Sequence, residues 1–221
     1  MRSPFSAMLK DDSALHSSPH PASTMTTRTL VYIALFAALV AALGLIPPIP
    51  LPFLPVPITA QTLGVMLAGS LLGARRGGAA LLLFLLLVAA GLPILSGGRG
   101  GLGVFLSPSG GFLLGFPLGA FVIGWLTERQ APKRRFLKRS QRLALPLAIT
   151  WNLLGGIVVI YAIGIPWVAI AAQMSFTKAL IGSAIFIPGD VAKAVLAAIV
   201  AVSLERVYPL RNSFQAEQKR A

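Results

Sequence analysis

The chain consists of long apolar runs that are nearly free of charge, separated by short segments into which its basic residues are crowded. That pattern leaves few folds. About 20 apolar residues can cross a bilayer as a helix, and a chain in lipid must satisfy its own backbone as a helix or a closed barrel. Composition agrees, since 56% of the 221 residues are hydrophobic, 11% are charged and mean hydropathy is +0.81. An ordinary soluble domain is excluded. At roughly 20 residues per crossing plus connections, about six spans fit. The expected fold is therefore an all-α polytopic membrane protein of six transmembrane helices.

The spans are expected at Leu30 to Ile46, Ile58 to Ala74, Gly78 to Leu92, Phe112 to Leu126, Leu143 to Ile163 and Gly189 to Val207. Residues 28–207 form this membrane domain. Residues 1–27 are polar and rich in Ser, Thr and Pro, so they are expected to be a disordered tail, and residues 208–221 form a second tail. Met25-Thr26-Thr27-Arg28 offers an alternative start. The first apolar run is longer than the roughly 7 to 15 residues of a cleaved signal core, so it reads as a membrane helix. Arg75-Arg76-Gly77 is expected to be the tight turn between spans two and three. Gly164 to Phe186 is mixed in character and reads as a folded connection or short helix near one membrane face.

A net charge of +13 would suit nucleic acid if it formed one folded basic face. It is instead dispersed between the apolar runs, so nucleic acid is not an expected partner. Six spans place sixteen of the nineteen Lys and Arg on one side, including the seven between Glu128 and Arg142, and leave only Arg99 and Lys178 on the other. The excess of basic residues on cytoplasmic loops then puts both termini in the cytoplasm, with lipid of the cell membrane around the helices. The chain has no cysteine, which removes disulfides, thiolate catalysis and sulfur-ligated metals. Its two histidines, His16 and His20, lie in the N-terminal tail, and no metal site is expected.

This topology gathers three unusual elements at the outer face. The first is Pro47 to Pro57, where proline recurs too often for a helix and the chain must be stiff and extended. The second is the glycine-dense stretch from Gly91 to Gly115, which suits close backbone approach. The third is Pro188-Gly189-Asp190-Val191-Ala192-Lys193, which places a carboxylate and an ammonium in a membrane helix. A charge there costs at least a few kcal/mol and marks a functional site, with its partner named. Asp190 and Lys193, three residues apart, share a helix face. With the helix starting at Pro188-Gly189, Asp190 stands in a first turn where the macrodipole favours a negative charge, and Lys193 stands where it does not. Mutual neutralisation of the pair is the plainer reading, and ligand binding the sharper one.

Four pieces, in order and at matching spacing, carry a resemblance. They are Pro55-Val56-Pro57-Ile58-Thr59-Ala60-Gln61-Thr62-Leu63-Gly64, Gly91-Leu92-Pro93, Ser107-Pro108-Ser109-Gly110-Gly111-Phe112 and the segment from Pro188 to Lys193. From about Arg28 to Val207 the chain resembles the BioY family, the biotin-specific substrate-binding (S) component of energy-coupling factor transporters. The resemblance implies high-affinity biotin binding near the outer face beneath the first and third inter-helix loops. It also implies uptake driven by a transmembrane coupling protein and two cytoplasmic ATPases.

By the same resemblance Asp190 and Lys193 are the acid and lysine of the last helix, and Arg99 is the polar contact of the glycine loop. Gly98 and Gly100 flank that contact. A basic residue that some members carry after the double glycine is replaced here by Leu113, which leaves Arg99 as the candidate for the biotin carboxylate. Gln61 is within reach of a ligand or, equally, of backbone groups freed by the Pro-rich loop. Ala34, Ala38 and Ala42 fit the family's alanine face for the coupling protein, and Ala37 and Ala41 fit the same spacing. Asn152 reads as an interhelical hydrogen-bonding residue. Trp151 and Trp167 read as interfacial anchors, with stacking on a ligand as the alternative.

Biotin presents a urea head, an apolar middle and a carboxylate, so Asp190 suits its N–H groups and Lys193 its carbonyl oxygen. The reverse orientation, with Lys193 on the carboxylate, fits the residues as well. No Gly-x-x-x-x-Gly-Lys-Ser/Thr signature occurs, so ATP hydrolysis is expected from partner subunits and no cofactor in this chain. The competing function is an autonomous ion-coupled carrier for biotin or another small vitamin, for which Asp190 would carry a proton. An enzyme is not expected, since no embedded histidine or paired aspartates are present.

Overall fold

The computed structural model describes residues 27–130 and 141–207. Both expected tails, apart from Thr27, and most of the long basic loop lie outside the described residues. Among the described residues the regular structure is helical, with two isolated backbone bridges and no strand. The elements are α1 (Thr27–Leu43), α2 (Gln61–Leu72), α3 (Ala74–Ala89), the short α4 (Gly103–Leu106) and α5 (Gly110–Gln130). They continue with α6 (Gln141–Leu153), a π-helical turn (Leu154–Val159), α7 (Ile160–Ala171), α8 (Phe176–Ser183), a 3-10 turn (Ala184–Phe186) and α9 (Ile187–Val207).

Among the described residues three helical stretches are long and apolar enough to cross a membrane: Gly110–Arg129, Leu145–Ala171 and Phe176–Glu205. Their outward faces carry Leu114, Leu118, Phe121, Val158, Leu196 and Ile199, all exposed, as suits contact with lipid. α2 solves a different problem. Its 12 residues span only about 18 Å, short of a hydrocarbon layer of about 30 Å. Every residue from Gly64 to Leu72 is nevertheless buried, because the neighbouring helices sheathe it. A helix enclosed on all sides needs no polar face, which is why its sequence reads apolar all round.

Small residues set the packing distances. Gly111 lies on Trp167, Gly115 on Ile160, and Gly119 on Ile160 and Gly155, so the stripe of three glycines at four-residue spacing in α5 faces α7 and the π turn. A Cβ at Gly119 would stand 2.7 Å from the Gly155 carbonyl oxygen, so only glycine permits this approach. Deeper in the bundle Ser70 Oγ donates to Asn152 Oδ1 at 3.1 Å, joining α2 to α6 through two buried side chains. Asn152 is thus an interhelical hydrogen-bonding residue.

Three expected boundaries are corrected. The turn between the second and third apolar runs is Gly73, not Arg75-Arg76-Gly77. Gly73 takes φ +82°, a conformation glycine adopts without strain, and α3 begins at once with both arginines inside it. Gly164 to Phe186 is not one folded connection, although it does contain the short helix α8. Its first part continues α7 to Ala171 through Pro166, the chain reverses over 172–175 with Gln173 at φ +52°, and a new helix starts at Phe176. Pro188-Gly189 does not begin the last helix. α8, the 3-10 turn and α9 follow one another without a loop, and the start is capped by Ser175 Oγ, which accepts from the Lys178 N–H. Pro188 is tolerated because it falls in the first turn after the 3-10 segment, where the α-helical ladder is already interrupted. Asp190 stands in the first turn of α9, as expected, with the 3-10 turn and α8 running on before it.

Candidate ligand-binding site

Two loops and four helices enclose one cavity. The loop between α1 and α2 is closed at its base by paired hydrogen bonds between Ile49 and Ile58, at 3.0 and 2.9 Å. Its prolines prevent helix, while Leu54 and Val56 are buried and anchor it; Leu54 reaches Gly182 of α8. Val56, Pro57, Ile58 and Thr59 thereby form part of the cavity wall.

The glycine-dense loop after α3 folds back in a turn in which Leu95 N–H donates to Arg99 O at 3.1 Å. Gly97, Gly98 and Gly101 all have positive φ, which lets the chain turn twice within a few residues and return Gly101 N–H to Val88 O at 2.7 Å. Gln61, at the start of α2, pins this loop. Its Nε2 donates to Val40 O and Ile94 O, and its Oε1 accepts from Ser96 N–H, each at 3.2 Å. Both amide donors are thus committed to backbone.

α9 carries Asp190 and Lys193 into this enclosure. Lys193 Nζ donates to Asp190 Oδ1 at 2.9 Å, to Thr62 Oγ1 at 3.0 Å and to Thr59 O at 2.5 Å. Thr62 Oγ1 donates to Asp190 Oδ1 at 3.1 Å, and Tyr161 Oη donates to Asp190 Oδ2 at 2.7 Å. Asp190 is 4% exposed, so these donors do the work that water does at a surface. The helix, the first loop and α2 are tied together through this one ammonium.

Arg99 differs from Lys193 in its company. Its Nε donates to Ser96 O at 3.3 Å and one terminal nitrogen to Ser109 Oγ at 3.1 Å. Both acceptors are neutral, so the guanidinium keeps its charge and further N–H groups for an anion. The same cavity is lined by Phe112, Tyr161 and Phe186, packed edge to face with centroids 5.8 to 6.5 Å apart, together with Leu95, Leu113 and Phe116. The empty space between these walls, open solvent at the mouth included, is about 570 Å³.

Asp190, Lys193, Arg99 and Gln61 all line this cavity. Gly98 and Gly100 do not. Gly98 is exposed at the tip of its turn, and Gly100 packs on the Leu92 carbonyl, so they shape the loop that carries Arg99. Ala34, Ala38 and Ala42 are exposed on one face of α1, while Ala37 is buried and Ala41 half-buried. The structure thus distinguishes the two alanine stripes and leaves the first one uncovered. Trp167 lies on Gly111 and donates from Nε1 to Ser107 O at 3.0 Å, which makes it a support for the second loop.

The pattern that defines the BioY family matches residues 16–210. The chain belongs to the BioY family. It is 56% identical over 189 residues to the biotin transporter BioY of Rhizobium etli, covering 84% of this chain and 97% of that protein. It is 45% identical over 194 residues to the biotin transporter BioY of Rhodobacter capsulatus, covering 82% and 95%. Its fold matches the crystal structure of the S-component for biotin from an ECF-type ABC transporter, with a TM-score of 0.72 and 34% identity. That match covers 83% of this chain and 95% of the other.

In this BioY chain the cavity also includes residues to which the sequence assigned no site role: Tyr161, Phe116 and Phe186, and, from the motifs themselves, Thr59, Thr62, Ser109 and Phe112. Tyr161 had a signal. A tyrosine within the apolar run Ile157-Val158-Val159-Ile160-Tyr161-Ala162-Ile163 has a hydroxyl that must find a partner when buried, and the nearest intramembrane acid is Asp190. Phe186 had none, since one more phenylalanine in an apolar helix looks like packing.

Proposed function

We propose that this chain binds biotin in the cavity and delivers it for uptake as the S component of an ECF-type transporter. The observation that supports this reading is one cavity whose lining holds the ion pair of buried Asp190 with half-buried Lys193, an arginine with no carboxylate partner among the described residues, and a group of aromatic rings. A urea head, an apolar bicycle and chain, and a terminal carboxylate are the complement of that sequence of surfaces. The urea head takes the Asp190 end. The carboxylate takes Arg99, whose remaining donors form charge-assisted bonds. Gly98 and Gly100 act through the loop that presents Arg99, and Gln61 acts by fixing that loop on α2.

In this reading six helices cross the cell membrane, with both termini in the cytoplasm and the cavity towards the outer face. The basic residues Arg28, Arg75, Arg76 and Arg129 stand at the helix ends opposite the cavity loops, in support of that orientation. A transmembrane coupling protein and two ATPases form the rest of the transporter, and the uncovered Ala34, Ala38 and Ala42 face of α1 meets the coupling protein. The chain itself is a binder without catalysis or a cofactor, and ATP is hydrolysed by those subunits.

The deciding experiment is equilibrium binding of labelled biotin to the purified protein. Saturable, one-to-one binding that unlabelled biotin displaces is the expected result. No saturable binding by folded protein would sink the reading. Concentrative uptake by cells that carry this chain without coupling subunits would sink the coupled mechanism and favour a carrier that works alone.

A further inference from the structure

The acceptor count at Asp190 points to a further determinant of specificity. An ionised carboxylate offers about four acceptor positions. Oδ1 accepts from Lys193 and from Thr62, and Oδ2 accepts from Tyr161, which leaves one position, on Oδ2. Tyr161 has spent its only proton on that same oxygen. Its own oxygen therefore turns only lone pairs to further partners, and Tyr161 lines the cavity together with Asp190. Two acceptors thus stand 2.7 Å apart in a largely buried wall, and the one proton between them is already assigned.

We infer that Tyr161 Oη and Asp190 Oδ2 act as a paired acceptor for one ring N–H of the ligand's cyclic urea, so that Tyr161 is a specificity-determining residue. The inference rests on the reading of biotin as ligand. A urea ring directs its two N–H groups to opposite sides of its carbonyl, so one carboxylate meets only one of them. That one meets two acceptors. A ring oxygen in the same place brings lone pairs against lone pairs and leaves both protein acceptors without a donor, a mismatch that a buried polar site rejects strongly.

The helix is built to aim this residue. The π turn Leu154–Val159 ends immediately before α7, and one residue inserted into a helix turns everything after it by about 100°. Gly155 and Gly156 accommodate the turn, lying against Ile123 and Met66, where a side chain would collide. The ring of Tyr161 is held separately, edge to face with Phe112 and Phe186 at 5.8 and 6.5 Å. Removing the hydroxyl alone therefore leaves the ring packing in place.

The test compares wild-type protein with Tyr161→Phe by equilibrium binding of biotin and of the two cyclic-carbamate analogues in which either ring N–H is replaced by oxygen. For the carbamate that wild-type protein binds more weakly, the affinity ratio of biotin to analogue is expected to fall at least about tenfold in the variant. An unchanged ratio, whatever happens to the absolute affinities, overturns the inference and leaves Tyr161 as a support for Asp190. Site-specific 3-fluorotyrosine at position 161 gives a second measurement that keeps the aromatic ring and the hydroxyl. Fluorine strengthens the O–H donor and weakens the oxygen as acceptor, so the same ratio is expected to fall, and a ratio that holds or rises overturns the inference. If wild-type protein binds no biotin, the functional reading fails and this inference with it. If it binds and the ratio stands, only the inference fails.

Discussion

The two ends of α5 belong to regions built on opposite principles. At its C-terminal end the chain turns through the single residue Gly73, and Glu128 caps α3 by accepting from the Ala74 N–H at 2.9 Å. Arg75 and Arg129 are exposed there, and Arg129 lies over the Trp125 ring at 3.6 Å. At its N-terminal end, long loops fold inward, and Asp190 and Lys193 face each other rather than water. Short connections and exposed charge make an end that can only hold helices together. Long glycine- and proline-rich connections over buried charge make an end that encloses something, and the cost of desolvating Asp190 and Lys193 is the sign that the enclosure has a use.

The largest effect that would break this contrast belongs to the buried pair. Asp190→Ala leaves the ammonium of Lys193 without its counter-charge and removes the proposed acceptor for the urea N–H. A loss of about 2–5 kcal/mol, roughly 30- to 4,000-fold in biotin affinity, is expected by equilibrium binding. Lys193→Ala is expected in the same range, with the added release of the first loop from Thr59 O. Affinities within threefold of wild type in both variants would mean that the pair only neutralises itself.

Arg99 comes next and sharpens the contrast chemically. Arg99→Ala is expected to weaken biotin by about 10- to 150-fold, the range for a hydrogen bond to a charged group. The same change should barely alter binding of biotin amide, which has no carboxylate charge to lose. Equal losses for both ligands would place the carboxylate elsewhere.

These expectations differ in how far the sequence already carried them. Asp190, Lys193 and Arg99 were legible because charge in an apolar or glycine-rich setting is expensive and therefore conspicuous. The all-helical class was legible from the apolar runs for the same reason. The junction near Pro188 was not. Proline and glycine together read as a break, and only the preceding 3-10 turn, a matter of backbone hydrogen bonding, lets the helix run through them. The aromatic wall was illegible on different grounds, because Phe112, Phe116 and Phe186 are identified as cavity residues only by what they face. Gln61 stood between these cases. Its polarity marked it, but whether it meets a ligand or the backbone depends on loop geometry that spacing along the chain does not encode.

Gln61→Ala separates support from contact. It deletes three hydrogen bonds that join α1, α2 and the second loop. The ligand-free protein is expected to lose about 1–3 kcal/mol of stability, seen as a lower midpoint of thermal unfolding in detergent. At saturating biotin part of that loss should be recovered, since a ligand bound only by the folded state stabilises it by mass action. A stability like that of wild type, combined with a large loss of affinity, would instead make Gln61 a direct ligand contact.

The smallest effect tests the other end of α5. Glu128→Ala removes the carboxylate that caps α3 beside Gly73, and the exposed setting limits the expected cost to under about 1 kcal/mol of stability. Biotin affinity is expected to remain within about twofold of wild type, because the cap lies at the end of α5 opposite to Phe112, Leu113 and Phe116, which line the cavity. The outcome that would count against a division of labour is a large loss of affinity with little change in stability. It would mean that the capped turn and the cavity are coupled through α5, whose glycine stripe packs on α7 just where Tyr161 leaves the π turn. A rigid α5 keeps the two ends independent, whereas a shift of α5 along that stripe would carry a change at Gly73 directly to the aromatic wall.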